Sequence, residues 1–210
     1  FAVKAKTMGA ELTVFTELAV TGYPPLDLLE KDGFINENLR ALRGLAALRL
    51  DTALAVGYVD RNRAGGKALL NAIALIDGGR VIARQAKSLL PAYDTFDEAR
   101  YFEPAVSNRP VKFKGELIGL TICEDIWFPT GPVALQARAN AEVIVNISAS
   151  PYYHSKGELR RSMLSTRAED HGVALAYVNL VGGQDELVFD GGSLIFDPEG
   201  TLVARGLPFQ

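Results

Sequence analysis

The chain has 210 residues, of which 48% are apolar and 22% charged, and its formal net charge at pH 7 is -3. These proportions are those of a globular protein and exclude disordered, collagenous and disulfide-scaffold classes. The slight acidity and the lack of a basic stripe argue against a nucleic-acid partner. Apolar runs such as residues 117–123 are far shorter than the ~20 residues of a membrane span, so no membrane partner is expected. A single cysteine rules out an intrachain disulfide and favours a cytoplasmic location.

The first half of the chain is predicted to consist of strands around one long helix. Residues 1–9 are expected to be the tail of an amphipathic helix, and residues 11–18 a buried strand. Leucines at positions 39, 42, 45 and 48 predict a helix that lies on a sheet, over residues 39–50. Three further strands are predicted at 52–60, 68–77 and 80–86, the last two joined by a Gly-Gly hairpin turn.

Strands and helices alternate in the second half as well. The predicted strands are 117–123, 142–148, 173–181, 192–197 and 201–205, and the predicted helices are 132–141 and 157–171. This order predicts an α/β fold, either one mixed sheet with helices on one face or two such sheets packed together. Residues 89–109 form an irregular segment of a length that usually has a function. We expect the chain to be truncated at both ends.

Three predicted strands end in residues with useful chemistry: Glu17, Lys87 and Cys123. The carboxyl ends of strands are where α/β proteins place their sites. Taken singly, a lone cysteine is more often a small buried hydrophobe, and each charge is more often solvated at a strand end. Together the three supply a base, a cation and a nucleophile, which favours a thiol-based hydrolytic site.

Other catalytic sites have less support. His154 lies in a polar loop, and His171 stands beside Gly172, where a helix C-terminal cap is expected. A Cys-His pair therefore stays possible but unsupported. No G-x-S-x-G motif is present for a serine hydrolase, and the spacing of one cysteine and two histidines matches no zinc site. No metal is expected.

Six short segments surround the three candidate residues. They are 17–27 (ELAVTGYPPLD), 87–102 (KSLLPAYDTFDEARYF), 122–127 (ICEDIW), 148–152 (SASPY), 182–186 (GGQDE) and 189–193 (FDGGS). Each motif alone is weak, but the set spans nearly the whole chain. Together they resemble the nitrilase superfamily of carbon–nitrogen hydrolases and, within it, the glutaminase domains of glutamine-dependent NAD+ synthetases.

This resemblance implies a four-layer αββα sandwich of the nitrilase type, with residues 1–210 forming one glutaminase domain. It implies hydrolysis of glutamine and transfer of the ammonia to an NAD+ synthetase domain that amidates nicotinic acid adenine dinucleotide. We expect that ATP-dependent domain to lie outside this chain. No cofactor is expected in the glutaminase domain, whereas ATP and magnesium are expected in the synthetase domain. The family also implies a homo-oligomer.

The resemblance further assigns roles to single residues. It makes Glu17 the general base, Lys87 the group that stabilises the oxyanion, and Cys123 the nucleophile. Glu98 matches the second glutamate of the family, which holds the lysine or the leaving group. The candidate substrate-binding residues are Tyr93, Ser150, Lys156, Tyr23 and Glu124. For the first three of these, the plainer interpretations are a packed aromatic ring, a turn residue at a strand end and a solvated lysine.

Two other functions stay open. One is a free-standing nitrilase-family amidase or carbamoyl hydrolase, against which the motifs at Tyr23 and Ser150 count. The other is a non-catalytic binding module on the same scaffold, which the presence of all three triad residues makes less plausible.

Overall fold

The structure is a computed structural model that describes residues 1–210, and it contains two compact units, Phe1–Ala105 and Val106–Gln210. Each unit consists of β-strands with helices packed on them, which confirms the predicted α/β class. None of the helices has the length and apolar character that a membrane span requires.

A four-stranded sheet organises the first unit. Its strands run in the order β1-β2-β3-β4, with β1 parallel to β2 and the other neighbours antiparallel. A short 3-10 helix covers Leu26–Glu30. The elements are α1 (Ala2–Thr7), β1 (Leu12–Val14), α2 (Asp32–Ala47), β2 (Ala53–Arg61), β3 (Leu69–Asp77), β4 (Arg80–Ala86) and α3 (Glu98–Tyr101).

The core of this unit lies between α2 and the sheet. Leu42 and Ala46 of α2 are buried in one cluster with Val56, Tyr58 and Ala74 of the central strands. Such burial stabilises the fold by about 25 cal/mol for each Å² of apolar surface removed from water. The leucine stripe in the sequence therefore predicted this helix correctly, although α2 begins at Asp32, well before position 39.

The second unit contains a six-stranded sheet in the order β12-β11-β8-β7-β6-β5. The central strands β6, β7 and β8 are parallel, and the outer pairs are antiparallel. Two helices, α4 and α5, connect the parallel strands. The elements are β5 (Val111–Phe113), β6 (Glu116–Ile122), α4 (Pro132–Arg138), β7 (Val143–Ser148), α5 (Lys156–His171), β8 (Ala174–Asn179), β9 (Val181–Gln184), β10 (Leu187–Asp190), β11 (Leu194–Phe196) and β12 (Leu202–Arg205).

The second core lies where α5 crosses its sheet. Leu164 and Ala168 of α5 pack in one buried cluster with Ile144, Leu175 and Phe196. Most other positions of α5 are polar. The helix ends at His171, followed by Gly172 in the left-handed conformation, so the predicted C-terminal cap is confirmed.

The predicted strand over residues 11–18 is wrong in its extent. β1 ends at Val14, and Glu17 lies in a turn. The cause is a close approach between this turn and β2 at Gly57. A Cβ at Gly57 would lie 2.8 Å from the carbonyl carbon of Glu17 and nearer still to Thr16 O and Leu18 N. The turn thus lies against a strand position that has no side chain.

Several short elements escaped prediction, among them α3 and three strands. β5 has only three residues, and the Gly-rich segment after β8 forms the antiparallel β9–β10 hairpin rather than the end of a strand. Glycine weakens the strand signal in a sequence because it contributes no packed side chain.

The contact at Gly57 makes a direct prediction. Gly57→Ala is expected to lower the free energy of unfolding by about 1–3 kcal/mol or more, because the methyl group would displace the backbone that carries Glu17. Urea denaturation measures this. The matched control is Gly44→Ala in α2, where nothing lies within 4 Å of the added methyl; it should raise stability by about 0.5–1 kcal/mol. A Gly57→Ala protein as stable as the unaltered one would contradict the packing described.

Candidate active site

A buried lysine holds two glutamates together in the first unit. Lys87 directly follows β4, Glu98 is the first residue of α3, and Glu17 lies in the turn after β1. The Nζ atom of Lys87 is 2.7 Å from Oε1 of Glu17 and 2.7 Å from Oε1 of Glu98. All three are almost completely buried, with 0% of Lys87 and 1% of Glu17 exposed. The interpretation of these residues as solvated strand-end charges is therefore wrong.

Two uncharged residues complete this cluster. The Tyr23 hydroxyl donates a hydrogen bond of 2.8 Å to Oε1 of Glu98. The Asn71 side-chain amide, on β3, donates to Oε1 of Glu17 at 2.8 Å and to Oε2 of Glu98 at 3.3 Å. Tyr23 was a predicted binding residue, whereas Asn71 was missed. The only signal for Asn71 in the sequence is a polar residue inside an otherwise apolar strand.

The charge balance of the cluster affects Glu98 most. Burial raises the pKa of Glu98, and the nearby charge of Glu17 raises it further, while Lys87 and the Tyr23 hydrogen bond oppose the shift. One ammonium cannot neutralise two carboxylates, so burial and the charge of Glu17 outweigh the opposing effect of Lys87 on the pKa of Glu98. A strongly perturbed carboxyl group at a buried cluster is typical of functional sites.

Cys123 occupies a strained turn in the second unit, where it begins a short 3-10 helix, Cys123–Ile126. It lies directly after β6, whereas the sequence predicted it as the last residue of the strand, and its φ of 43° lies in the left-handed region that favours glycine. The buried carboxylate of Asp125 accepts a 3.0 Å hydrogen bond from the Ile122 N–H and so fixes this turn. A nucleophile placed on a strained turn between a strand and a helix is a recurring arrangement in hydrolases.

A second buried lysine lies near Cys123. Lys156 is the first residue of α5 and is only 8% exposed, so the interpretation of a solvated lysine is wrong. Burial lowers the pKa of Lys156; electrostatic interactions with Cys123, Asp190 and Glu124 raise it, and Arg160 acts in the same direction as burial. Glu124 and Lys156 therefore place opposite charges within electrostatic reach of Cys123.

A hydrogen-bond network supports Ser150. The backbone N–H of Ser150 donates to Asn179 Oδ1 at 2.8 Å, and Asn179 Nδ2 donates to Gly191 O at 3.0 Å. The buried side chain of Arg160 donates to the same Gly191 oxygen at 2.9 Å and pairs with Asp190, also at 2.9 Å. Asn179, Arg160 and Asp190 were missed, because the sequence separates them and gives no local signal of pairing.

The predicted residues thus fall into two groups, one in each unit. Glu17, Lys87, Glu98 and Tyr23 contact one another in the first unit. In the second unit Cys123, Glu124 and Lys156 share one electrostatic environment, and Ser150 is held by the network just described. Tyr93 is 56% exposed, and its ring packs edge-on against that of Phe96, with the ring centroids 5.6 Å apart.

No group of three or more His, Cys, Asp and Glu side chains is arranged to hold a metal ion. The only cysteine, Cys123, is buried and forms no disulfide.

Comparison with known proteins decides the family. The family model described as carbon-nitrogen hydrolase matches residues 1–209 of this chain. The chain belongs to the carbon-nitrogen hydrolase family. This confirms the resemblance that the motifs around Glu17, Lys87 and Cys123 indicated.

The relatives of this carbon-nitrogen hydrolase chain include larger enzymes. It is 41% identical over 209 residues to a glutamine-dependent NAD(+) synthetase of Thermotoga maritima and 42% identical over 205 residues to one of Aquifex aeolicus. These alignments cover 98% and 96% of this chain but only 36% and 35% of the relatives. The chain therefore spans about a third of their length.

Solved structures confirm the nitrilase-type α/β fold. A glutamine-dependent NAD+ synthetase from Acinetobacter baumannii, in complex with ADP, has a TM-score of 0.93 and 32% identity, covering all of this chain and 39% of that one. An amidase from Nesterenkonia sp. has a TM-score of 0.85 and 27% identity, covering 99% of this chain and 78% of that one.

The raised pKa of Glu98 predicts a pH-dependent stability. A carboxyl group whose pKa is higher in the folded than in the unfolded state stabilises the fold fully below the unfolded value of about 4.3. That contribution is lost as the pH rises through the folded value. The loss of stability caused by Glu98→Gln should therefore be smaller at about pH 8 than at about pH 5.

Denaturant unfolding of both proteins at the two pH values measures this difference. Glu37→Gln is the control, since Glu37 has a side chain 63% exposed in a surface ion pair; it should change stability by less than ~0.5 kcal/mol at either pH. If the loss of unfolding free energy caused by Glu98→Gln increased with pH, the folded state would favour the ionised form of Glu98, contrary to this prediction.

Proposed function

We propose that this chain hydrolyses the side-chain amide of glutamine, with Cys123 as nucleophile, Glu17 as general base and Lys87 as the cation that stabilises the oxyanion. The observation that carries the proposal is the ammonium of Lys87, buried between Glu17 and Glu98. Burying three ionisable groups costs stability that an apolar core would not, so their presence favours a chemical role.

The first half of the proposed reaction forms a thioester. Glu17 accepts the proton of the Cys123 thiol, and the sulfur attacks the amide carbon of glutamine. The developing oxyanion receives hydrogen bonds from Lys87 Nζ and from the backbone N–H of Glu124. The carbon–nitrogen bond then breaks, and Glu17 returns the proton to the leaving nitrogen, which departs as ammonia.

The second half opens the thioester. Water attacks the thioester carbon while Glu17 accepts one of its protons, and the carbon–sulfur bond breaks. The proton returns to the sulfur, which releases glutamate and restores the thiol. In this scheme Glu98 contacts no bond that changes; it holds Lys87 and balances its charge.

The relatives support a cysteine nucleophile. One solved structure of a mutant amidase from Nesterenkonia sp. AN1 shows Michael addition of acrylamide at the active-site cysteine. In the present chain Cys123 is the only cysteine, and its position on a strained turn is suited to that role. The greater identity to glutamine-dependent NAD(+) synthetases favours glutamine as the amide over a short, uncharged one.

Substrate recognition is proposed for the polar groups around Cys123. Glutamine carries a carboxylate and an ammonium remote from its amide, and Lys156 and Glu124 offer charges of the complementary signs. Ser150, Tyr23 and Tyr93 are the further binding residues proposed by resemblance. The half-exposed ring of Tyr93 is proposed to contact the substrate from the solvent side.

We further propose that the ammonia serves an NAD+ synthetase domain that amidates nicotinic acid adenine dinucleotide, with ATP and magnesium bound by that domain alone. A homo-oligomer is expected by resemblance to the family. A cytoplasmic location is proposed because the single cysteine can form no intrachain disulfide of the kind that oxidising compartments favour.

Replacement of Cys123 tests the covalent mechanism. Cys123→Ala should lower glutamine hydrolysis by about 10⁴-fold or more, since no other thiol can replace it, and should leave the unfolding transition cooperative. A chloroketone analogue of glutamine should alkylate the unaltered protein once, with loss of chloride, and mass spectrometry should show one attached molecule. The Cys123→Ala protein should gain no mass.

A screen of glutamine against short amides and carbamoyl amino acids in the same assay distinguishes the proposed glutaminase from a free-standing amidase or carbamoyl hydrolase. An active Cys123→Ala protein would contradict the thioester mechanism. Failure of the analogue to label Cys123 would instead favour a non-catalytic module.

Lys156 gives a prediction about specificity. Lys156→Gln should raise KM for glutamine by about 10- to 100-fold, because a hydrogen bond to a charged group is lost, with a smaller change in kcat. Hydrolysis of a short amide without a carboxylate should change little. Lys112→Gln, at an exposed position on β5, is the control and should leave the hydrolysis of both substrates unchanged. Equal losses for glutamine and the short amide would rule out carboxylate recognition by Lys156.

A further inference from the structure

Asn71 makes contacts with all three members of the buried cluster. Its side-chain amide donates to Glu17 at 2.8 Å and to Glu98 at 3.3 Å. Its backbone carbonyl accepts a hydrogen bond of 2.8 Å from the N–H of Lys87. Asn71 itself is 0% exposed and lies on β3, an interior strand of the four-stranded sheet.

The chemistry of the amide fits this position. Both carboxylates need donors, and an asparagine amide offers two N–H groups without adding charge. The opposite orientation would aim its oxygen at two carboxylates, so the contacts themselves fix which way the amide points. Oδ1 of Asn71 has no hydrogen-bond partner although it is buried. In this orientation the amide donates to both Glu17 and Glu98, while its oxygen accepts no hydrogen bond.

We infer that Asn71 is a positioning residue for the hydrolytic reaction proposed above: it fixes the carboxylate of Glu17 and keeps both glutamates on the single ammonium of Lys87. This inference rests on the proposed function for its effect on rate but not for its effect on the cluster. Two buried carboxylates repel each other, and a neutral donor shared between them lowers the cost of ionising either one.

A purely structural role would have a different signature. Asn38 on α2 shows that role in the same unit: its side chain donates to Val59 O at 2.6 Å and accepts from Val59 N at 3.2 Å. Asn38 is also buried, but its partners are backbone groups that do not titrate. Asn71, in contrast, contacts three charged residues, Glu17, Glu98 and Lys87. The Tyr23 hydroxyl donates to Oε1 of Glu98, whereas the Asn71 amide donates to its Oε2.

The first experiment needs no substrate. Unfolding of Asn71→Ala and Asn38→Ala is compared with that of the unaltered protein at about pH 5 and about pH 8. The donor lost with Asn71 stabilises ionised carboxylates, so its removal should shift the unfolding equilibrium about tenfold more at the higher pH. The shift caused by Asn38→Ala should be the same at both pH values. Equal shifts for Asn71→Ala would overturn the inference.

The second experiment measures glutamine hydrolysis against pH. Asn71→Ala should lower kcat/KM by about 10- to 100-fold and move the acid limb of the profile to higher pH. Asn71→Asp should move it further, because a third carboxylate would then lie against Glu17 and Glu98. Asn38→Ala should leave the limb in place. An unmoved limb in both Asn71 variants would overturn the positioning role. If the unaltered protein hydrolyses no glutamine, the proposed function fails, and the unfolding comparison still decides the role of Asn71.

Discussion

The buried ion pairs of Lys87 are the constraint on which the first unit depends. An ammonium with no exposed surface is stable only where carboxylates surround it, and Glu17 and Glu98 supply them. Removal of one partner from such a cluster leaves an uncompensated charge, which typically costs about 3–5 kcal/mol. The unit must therefore bring a turn, a strand end and the start of a helix to one point.

One glycine and one polar residue on the interior strands of the sheet make this convergence possible. Gly57 lets the turn that carries Glu17 lie against β2, and the backbone of Asn71 on β3 holds Lys87. The second unit applies a comparable constraint to Cys123, whose left-handed backbone is held by the Asp125 carboxylate. In each unit the regular strands build the scaffold, and the reactive groups lie just beyond their ends.

The sequence predicted the parts of this arrangement that are local. The apolar pattern placed Lys87 correctly after its strand and Cys123 at a strand end, one residue from the observed boundary, and the leucine stripe located α2. The motifs identified the family. Local patterns did not show that β1 stops before Glu17, because that boundary depends on Gly57, which is remote in the chain. They also missed Asn71 and the Arg160–Asp190 pair, since a buried polar partner is recognised only when its contacts are known.

In the reaction proposed above, the ammonium of Lys87 and the carboxylate of Glu17 act on a carbonyl group bonded to Cys123. A crystal structure of the protein after reaction with a chloroketone analogue of glutamine tests this arrangement. The mechanism predicts that the ketone oxygen of the adduct lies about 3 Å from Lys87 Nζ, within hydrogen-bonding distance. It also predicts that the Glu17 carboxylate lies within similar reach of the sulfur. An ordered adduct on Cys123 with either group beyond about 5 Å, too far for a hydrogen bond, would contradict it.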